Sequence, residues 1–480
     1  MSTKEKEIFE GGEMQNRLIE ALIAKARRVK RTKDVREVSY GLADLSTKKQ
    51  LHERMVDKGA VKSLLKLMQC QTHEAQRFAA LALGNISSSS ETKKTMIDQD
   101  VMKPLIKFMV GEGNDSLACQ YAALCLGNLV SDPENHEELV KLGGLAALVE
   151  LLKSKDIGQG RYAAFALSNI ATNPQFSQEV VDEGAIEPLV ALACADDRNA
   201  QRQALAALRG LAMNPDTRSL IVRAGVLDPL VLIACTEDEE LLEEVAGAFC
   251  TLSSIDSNKL EIAKRSTATI ITLAVSDIPG VERMALCTLA NLAEVVELHT
   301  HLIKEKGLDP ILALSYSDDP VTRGEGCRCL ANLAANHDIQ DILVKKGAMD
   351  PLIAGIQSEN NVAQRFGALG VANLASMTAN QIKIVTSGAT ESIVRLVADP
   401  TKETGSRRYA ALAIANLTAT VGNHKALQAH NVCEALFQMT SVRFLLFFTH
   451  THTHTYIYTY ILLCLASFDS LDNLHRYPTS

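Results

Sequence analysis

The chain has 480 residues, of which 47% are hydrophobic and 4% aromatic, and it has no tryptophan. A chain of this length is too long for one compact core, so it must divide into domains or repeat, and its aliphatic composition favours packed helices. The formal charge of −8 argues against a nucleic-acid partner, which would require a broad positive surface. The 11 cysteines include no CxxC pair, which is typical of a reduced intracellular protein.

The first residues are polar and lack the apolar stretch of a signal peptide, which predicts synthesis in the cytosol. We predict that residues 1–13 are disordered. A basic cluster follows, made of Lys25, Arg27, Arg28, Lys30, Arg31 and Lys33. We favour the interpretation that this cluster is the solvated face of an N-terminal helix, and a nuclear-localisation signal is the alternative.

Residues 14–440 contain an internal repeat, seen most clearly in RFAALALGNI and RYAAFALSNI. Aligning the asparagine of this motif defines a series that we call the ladder positions. Successive ladder positions are 40 to 43 residues apart: Asp44, Asn85, Asn128, Asn169, Gly210, Thr251, Asn291, Asn332, Asn373 and Asn416. A period of this size predicts a stack of helical repeats.

A second series of glycines recurs at the same period, each before an apolar segment: Gly59, Gly143, Gly184, Gly225, Gly347 and Gly388. Each glycine is predicted to end a short first helix, and Pro188, Pro229 and Pro351 to lie in the first turn of the second helix. The third helix carries the alanine-rich motif, for example from Arg161 to Ala171. The sequence therefore predicts an all-α, right-handed α-solenoid with three helices per repeat of about 41 residues, comprising about nine full repeats and a partial N-terminal one.

This pattern resembles the armadillo-repeat family over about residues 14–440. The resemblance implies that the third helices line a concave groove, in which the ladder asparagines hydrogen-bond the main chain of an extended peptide. The candidate asparagines are Asn85, Asn128, Asn169, Asn291, Asn332, Asn373 and Asn416. The alternative is that each amide satisfies main-chain groups between repeats.

Arginines stand eight positions before the ladder position, where they could border the same groove. The candidates are Arg77, Arg161, Arg202, Arg365 and Arg408, with Arg36 and Arg283 at equivalent places. We favour the alternative that they pair with acidic residues of the adjacent repeat.

The function implied by the resemblance is that of a scaffold or adaptor that binds other proteins. Among armadillo proteins, the chain is most similar to the vacuole-associated scaffold proteins, which predicts a cytoplasmic location, peripheral to an organelle membrane. The alternative is a nuclear-transport adaptor of the importin-α type, which pairs each ladder asparagine with a tryptophan four residues earlier. Here those places hold Leu81, Leu124, Phe165, Leu369 and Leu412, which disfavours that alternative.

Residues 441–480 break the pattern, and Thr449 to Thr455 alternates threonine with histidine. We interpret this low-complexity tail as translated non-coding sequence. The alternatives are a metal-binding array of His450, His452 and His454, or a membrane span, although the polar block interrupts any apolar stretch of the required length. Membrane association is thus expected only through partners or through this doubtful tail.

The repeats contain none of the motifs that carry catalysis. The sequence has no HExxH, GxSxG or phosphate-binding loop and no Cys/His set with metal-ligand spacing. We predict that the protein is not an enzyme and uses no metal or cofactor.

Overall fold

The computed structural model describes residues 3–28, 31–432 and 434–436, and every regular element in those ranges is helical. The chain divides into two compact units, Met1–Leu252 and Ser253–Ser480. Among the described helices, none has both the length and the apolar character needed to cross a membrane. The tail prediction for residues 441–480 lies outside the described ranges.

In unit 1, each repeat has a first, a second and a third helix. The first helices are α3 (His52–Asp57), α6 (Ser90–Ile97), α9 (His136–Lys141), α12 (Ser177–Asp182) and α15 (Pro215–Arg223). The second helices are α4 (Ala60–Met68), α7 (Met102–Met109), α10 (Gly144–Leu152), α13 (Ile186–Ala193) and α16 (Leu227–Ile233). The third helices are α2 (Thr32–Ser46), α5 (His73–Ser87), α8 (Ser116–Leu129), α11 (Ile157–Ala171), α14 (Arg198–Leu211) and α17 (Glu239–Leu252).

The N-terminal helix α1 (Thr3–Arg28) packs against α2 and α4. It begins inside the segment 1–13 that the sequence predicts to be disordered. The lysines and glutamates of this segment are good helix formers, so they can extend a helix that is anchored further along. The anchor is the buried face of α1, where Ile19, Ile23 and Ala26 are almost inaccessible to solvent.

Unit 2 continues the same pattern after an altered first repeat. Its first helices are α20 (His299–Lys304), α23 (His337–Lys345), α26 (Thr378–Thr386) and α29 (His424–Ala429). Its second helices are α21 (Leu308–Leu314), α24 (Met349–Gln357) and α27 (Ala389–Ala398), and its third helices are α19 (Pro279–Leu292), α22 (Pro320–Ala334), α25 (Asn361–Ala375) and α28 (Thr404–Thr418). Short 3-10 helices at Lys49–Leu51, Pro133–Asn135, Val296–Leu298 and Val421–Asn423 precede four of the first helices across the two units.

One repeat departs from the predicted three helices. Its first and second helices are fused into the single helix α18 (Asp256–Leu273). The turn glycine of the other repeats is replaced here by Ser266, which lies inside the helix. Serine does not favour a left-handed turn, so it permits the helix to continue through this place.

The alanine-rich third helices pack directly on one another within each unit: α5 on α8, α8 on α11 and α11 on α14 in unit 1, and α22 on α25 and α25 on α28 in unit 2. Their small side chains, such as Ala79, Ala163 and Ala410, are fully buried and let neighbouring helices approach closely. The third helices also begin about one turn earlier than predicted: α11 starts at Ile157 rather than at Arg161.

The turn between first and second helices requires a residue with positive φ. Gly184 has φ +80°, and all six predicted glycines adopt this conformation. In three other repeats a different residue does so: Asp100 at φ 55°, Lys306 at 65° and Asn431 at 55°. Aspartate and asparagine tolerate the left-handed region better than other side chains, whereas lysine does not.

We therefore expect Lys306→Gly to stabilise the protein by about 1 kcal/mol, because glycine removes the steric cost of positive φ. A rise in the urea midpoint would show this. Lys304→Gly is the matched control. Lys304 lies in α20, where glycine should destabilise the protein by about 1 kcal/mol. Equal destabilisation by both changes would contradict the prediction.

Candidate functional site

The seven ladder asparagines all reach back to the preceding repeat. In five of them the side-chain Nδ2 donates to the main-chain carbonyl just before the previous ladder position. The pairs are Asn128 with Gly84 at 3.1 Å, Asn169 with Gly127 at 3.0 Å, Asn332 with Ala290 at 3.2 Å, Asn373 with Ala331 at 2.9 Å and Asn416 with Ala372 at 2.8 Å. In the other two, Asn85 donates to Ser46 Oγ and Asn291 to Ser253 Oγ, each at 3.0 Å. Each amide thus joins two repeats.

This structural bond uses only one side of each amide. For six of the seven, all but Asn291, the Oδ1 atom accepts no hydrogen bond from the residues that the structure describes. The six side chains are half-buried, and their oxygens are not among the fully buried unsatisfied atoms. The acceptor of each amide therefore remains for a ligand, and so does one N–H of each except Asn128, whose Nδ2 also donates to Ser87 Oγ at 3.1 Å.

The residue four before the ladder position packs against the preceding third helix. A Cβ placed on Gly127 would lie 2.5 Å from Phe165 Cδ1, and one on Gly84 would lie 3.4 Å from Leu124 Cδ2. Gly127 thus makes room for the side chain from the next repeat, whereas the contact at Gly84 is an ordinary one. Leu81, Leu124, Phe165, Leu369 and Leu412 are all half-buried, each leaving part of an apolar surface beside its asparagine.

Aromatic side chains occupy a place that the sequence reasoning missed, seven residues before the ladder position. They are Phe78, Tyr121, Tyr162, Phe366 and Tyr409, all half-buried. Seven residues are nearly two helical turns, so each ring shares a face with its asparagine. The signal was present in the motif itself, as the aromatic residue of RFAA, RYAA and RRYAA. We call an amide with its two apolar neighbours a rung.

Complete rungs occur in two groups. Unit 1 has those of Asn85, Asn128 and Asn169, and unit 2 has those of Asn373 and Asn416. Among the intervening third helices, α14, α17 and α22 carry small, polar or charged residues at the two apolar positions. In α19 these positions hold Met284 and Cys287, so the Asn291 rung lacks the aromatic ring. In α17, Glu244 takes the aromatic place and accepts a bidentate pair of hydrogen bonds from Arg209, at 2.8 and 3.0 Å.

The candidate arginines are engaged with the next repeat. Arg77 pairs with Asp115 at 2.7 Å, Arg161 with Asp197 at 3.9 Å, Arg202 with Glu240, and Arg365 with Glu403 at 3.9 Å. Arg36 and Arg283 pair in the same way with Glu74 and Asp319, and Arg408 lies exposed at the equivalent place. These contacts agree with the pairing alternative.

Several of the acidic partners have a second role. Asp115 accepts a hydrogen bond from the Ala118 N–H and thereby caps the N-terminus of α8, as Asp197 and Asp319 do for α14 and α22. Burial alone would raise the pKa of Asp115, but the hydrogen bonds from Arg77 and from the cap hold that pKa below its usual value. The arginine and the cap together fix adjacent third helices in register.

Two arginines also lie over the adjacent aromatic ring. The Arg161 guanidinium is 4.7 Å from the centroid of Tyr162, and that of Arg365 is 5.7 Å from the centroid of Phe366. Each guanidinium thus covers part of its ring and leaves the ring half-buried.

The described part of the chain offers little support for a metal site or for a reactive cysteine. No group of His, Cys, Asp or Glu there could hold a metal ion. Burial raises the pKa of the Cys125 and Cys329 thiols to about 12, so neither forms a reactive thiolate at neutral pH.

Comparison with known proteins agrees with this architecture. Residues 173–213 and 214–254 each match the Armadillo/beta-catenin-like repeat, and each match spans one first, second and third helix. An engineered protein of known crystal structure superposes with a TM-score of 0.73 at 29% identity, over 83% of this chain and 98% of its own. A second engineered protein is 30% identical over 49% of this chain and 99% of its own, with a TM-score of 0.46. No curated protein sequence matches.

Proposed function

We propose that this chain, an armadillo-repeat protein, is a protein-interaction scaffold that binds extended segments of partner proteins along its third helices. The observation that carries the proposal is the repetition of complete rungs on consecutive third helices. Each rung offers an amide oxygen, an aliphatic or phenylalanine side chain and an aromatic ring. A surface with hydrogen-bonding groups at regular intervals suits a main chain that is itself regular.

The spacing of the rungs favours a particular ligand conformation. Packed helices lie about 8–10 Å apart, so adjacent rungs have about that separation. A polyproline II segment has three residues per turn and rises about 9 Å in one turn, so it presents the same face to each rung. A β-strand repeats every two residues, or about 7 Å, which is shorter than the separation of adjacent rungs, so its side chains would not meet successive rungs in the same way. We therefore propose ligands with an apolar side chain at every third position.

The test is a selection of random 12-residue peptides displayed on phage against the full chain. We expect the selected peptides to have apolar residues three apart. We also expect Asn373→Ala to weaken the binding of peptides to unit 2 about fivefold, since a hydrogen bond contributes about 1 kcal/mol. Dissociation constants measured by fluorescence anisotropy would report the change.

Because Asn373 also links two repeats, the control must remove a similar structural bond elsewhere. Gln381 is buried in the first helix α26 and donates to the carbonyls of Ala375 and Asn416, at 2.9 and 3.0 Å. Gln381→Ala should therefore destabilise the stack while leaving every side chain of the rungs in place, because its bond to Asn416 is to the main chain. If both variants weakened peptide binding equally, the loss would reflect stability and the proposed role of the rungs would be wrong.

The finer expectations from the sequence belong to the same proposal. We propose a cytoplasmic location, peripheral to an organelle membrane through partners, on the basis of the resemblance to vacuole-associated scaffolds. Fluorescence microscopy of the tagged full chain tests this location. A uniformly nuclear signal would contradict it.

A further inference from the structure

The Asn291 rung in unit 2 differs from every other. Asn291 is only 8% exposed, whereas the other ladder asparagines are half-buried. Its Oδ1 atom accepts a hydrogen bond from Arg328 Nη2 at 2.9 Å, whereas Oδ1 of the other six ladder asparagines accepts none from the described residues. The acceptor that a ligand would use is therefore already occupied by the protein.

Arg328 comes from the following third helix, at the place four before Asn332. Leucine occupies that place in the complete rungs of unit 2, at Leu369 and Leu412. From there the arginine extends back over the Asn291 rung and also contacts Cys287, the residue four before Asn291. Its Nη2 lies 3.4 Å from the Cys287 carbonyl oxygen and 3.7 Å from Cys287 Sγ. The guanidinium thus covers both the amide and its neighbour.

Acidic side chains hold the guanidinium in this position. Arg328 Nε donates to Glu325 Oε2 at 2.8 Å, and Nη1 donates to Glu294 Oε1 at 2.9 Å. Glu294 is itself held by the buried Lys259, at 2.6 Å. The arginine side chain is only 14% exposed, and its planar fork is satisfied on several sides, so its geometry is well defined.

We propose that Arg328 is a specificity-determining residue that closes the Asn291 rung and so limits the ligand-binding stretch of unit 2 to the rungs of Asn373 and Asn416. The inference rests on the proposed function, because a closed rung has meaning only if open rungs bind ligands. The ligand of unit 2 would then be an extended apolar segment long enough to contact two rungs. A longer segment would meet a charged, filled surface at Glu325 and Arg328.

The first experiment needs no ligand. The rate at which iodoacetamide alkylates Cys287 is measured by peptide mass mapping in the wild-type chain and in Arg328→Ala. We expect a several-fold faster reaction in the variant, because the guanidinium no longer covers the thiol. Arg365→Ala is the matched control and should leave the rate unchanged, since Arg365 pairs with Glu403 in another repeat. Equal rates in wild type and Arg328→Ala, with circular dichroism showing both folded, would overturn the closure.

The second experiment uses the phage-selected 12-residue peptides whose binding depends on Asn373. In the wild-type chain, Asn291→Ala should leave their dissociation constants within twofold. In the Arg328→Ala background, peptides reselected from the same library should lose about fivefold to tenfold in affinity on Asn291→Ala, the effect of one hydrogen bond. If Asn291→Ala weakened wild-type binding as much as Asn373→Ala, the inference would be wrong while the proposed function stood. If no selected peptide depended on Asn373, peptide binding by unit 2 would itself be wrong, and the inference with it.

Discussion

Replacing Glu294 with alanine is expected to lower the free energy of unfolding by about 2 kcal/mol, less than the loss for a fully buried ion pair because the Glu294 side chain is 44% exposed. Lys259 is only 1% exposed, and its ammonium has two acceptors, Glu294 at 2.6 Å and Asp256 at 2.7 Å. Burial alone would lower the pKa of Lys259, but the bonds to these carboxylates raise it. Without Glu294, the buried charge keeps only Asp256, whose side chain is 91% exposed. Urea denaturation at neutral pH measures the loss.

The matched compensating change is Lys259→Gln. Lys259 stands eight residues after its ladder position, where Gln340 and Gln381 stand in later repeats. Each of those glutamines donates to the last turn of the preceding third helix, at Ala334 and Ala375. A neutral glutamine at 259 can donate to a main-chain carbonyl in the same way and does not require Glu294. The double variant should recover most of the stability, and strictly additive losses would contradict this account.

The fold could be predicted because its signals are local and periodic. The apolar spacing, the turn glycines and the helix-starting prolines recur at about 41 residues. The structure confirms the all-α helical repeats, two of which match the armadillo repeat. The prediction failed where the local signal was replaced. Asp100, Lys306 and Asn431 adopt positive φ although none of them is glycine. Ser266, at the equivalent place, lies inside the fused helix α18.

The orientation of the ladder amides could not be derived from the sequence. The same side chain can face a ligand or the neighbouring repeat, and the choice depends on the distance between stacked third helices. The structure shows that Nδ2 of all seven ladder asparagines donates to the preceding repeat, while Oδ1 of six accepts no hydrogen bond from the described residues. A role in binding ligand remains a prediction, now restricted to the other side of each amide.

The aromatic rings were missed for a simpler reason. In the importin-α pattern the aromatic residue is a tryptophan four residues before the asparagine. The rings are phenylalanine and tyrosine, and they lie one further turn back, at Tyr162 and Phe366 for example. Helical geometry alone places that position on the same face, so the motif contained the information.

Gly367→Ala is expected to destabilise the protein by about 2 kcal/mol, although alanine is the better helix former. Gly367 lies in α25, six residues before Asn373, where the other repeats carry alanines such as Ala79 and Ala163. A Cβ here would lie 2.6 Å from the Leu352 carbonyl oxygen and 2.9 Å from the Ile356 nitrogen, both main-chain atoms of α24. Overpacking of this kind costs about 1–3 kcal/mol, and the helix propensity gained returns at most about 1 kcal/mol.

Gly84→Ala, the same substitution in another third helix, is expected to have the opposite effect on stability. Gly84 also lies inside a third helix, but a Cβ there would meet only Leu124 Cδ2 at 3.4 Å and the Tyr121 carbonyl oxygen at 3.5 Å, which is ordinary contact. We expect this variant to be up to about 1 kcal/mol more stable than wild type, because only helix propensity changes. Urea midpoints of both variants decide the matter. If Gly367→Ala stabilised the chain as Gly84→Ala does, α24 and α25 would separate at no cost, and their close approach would not require glycine.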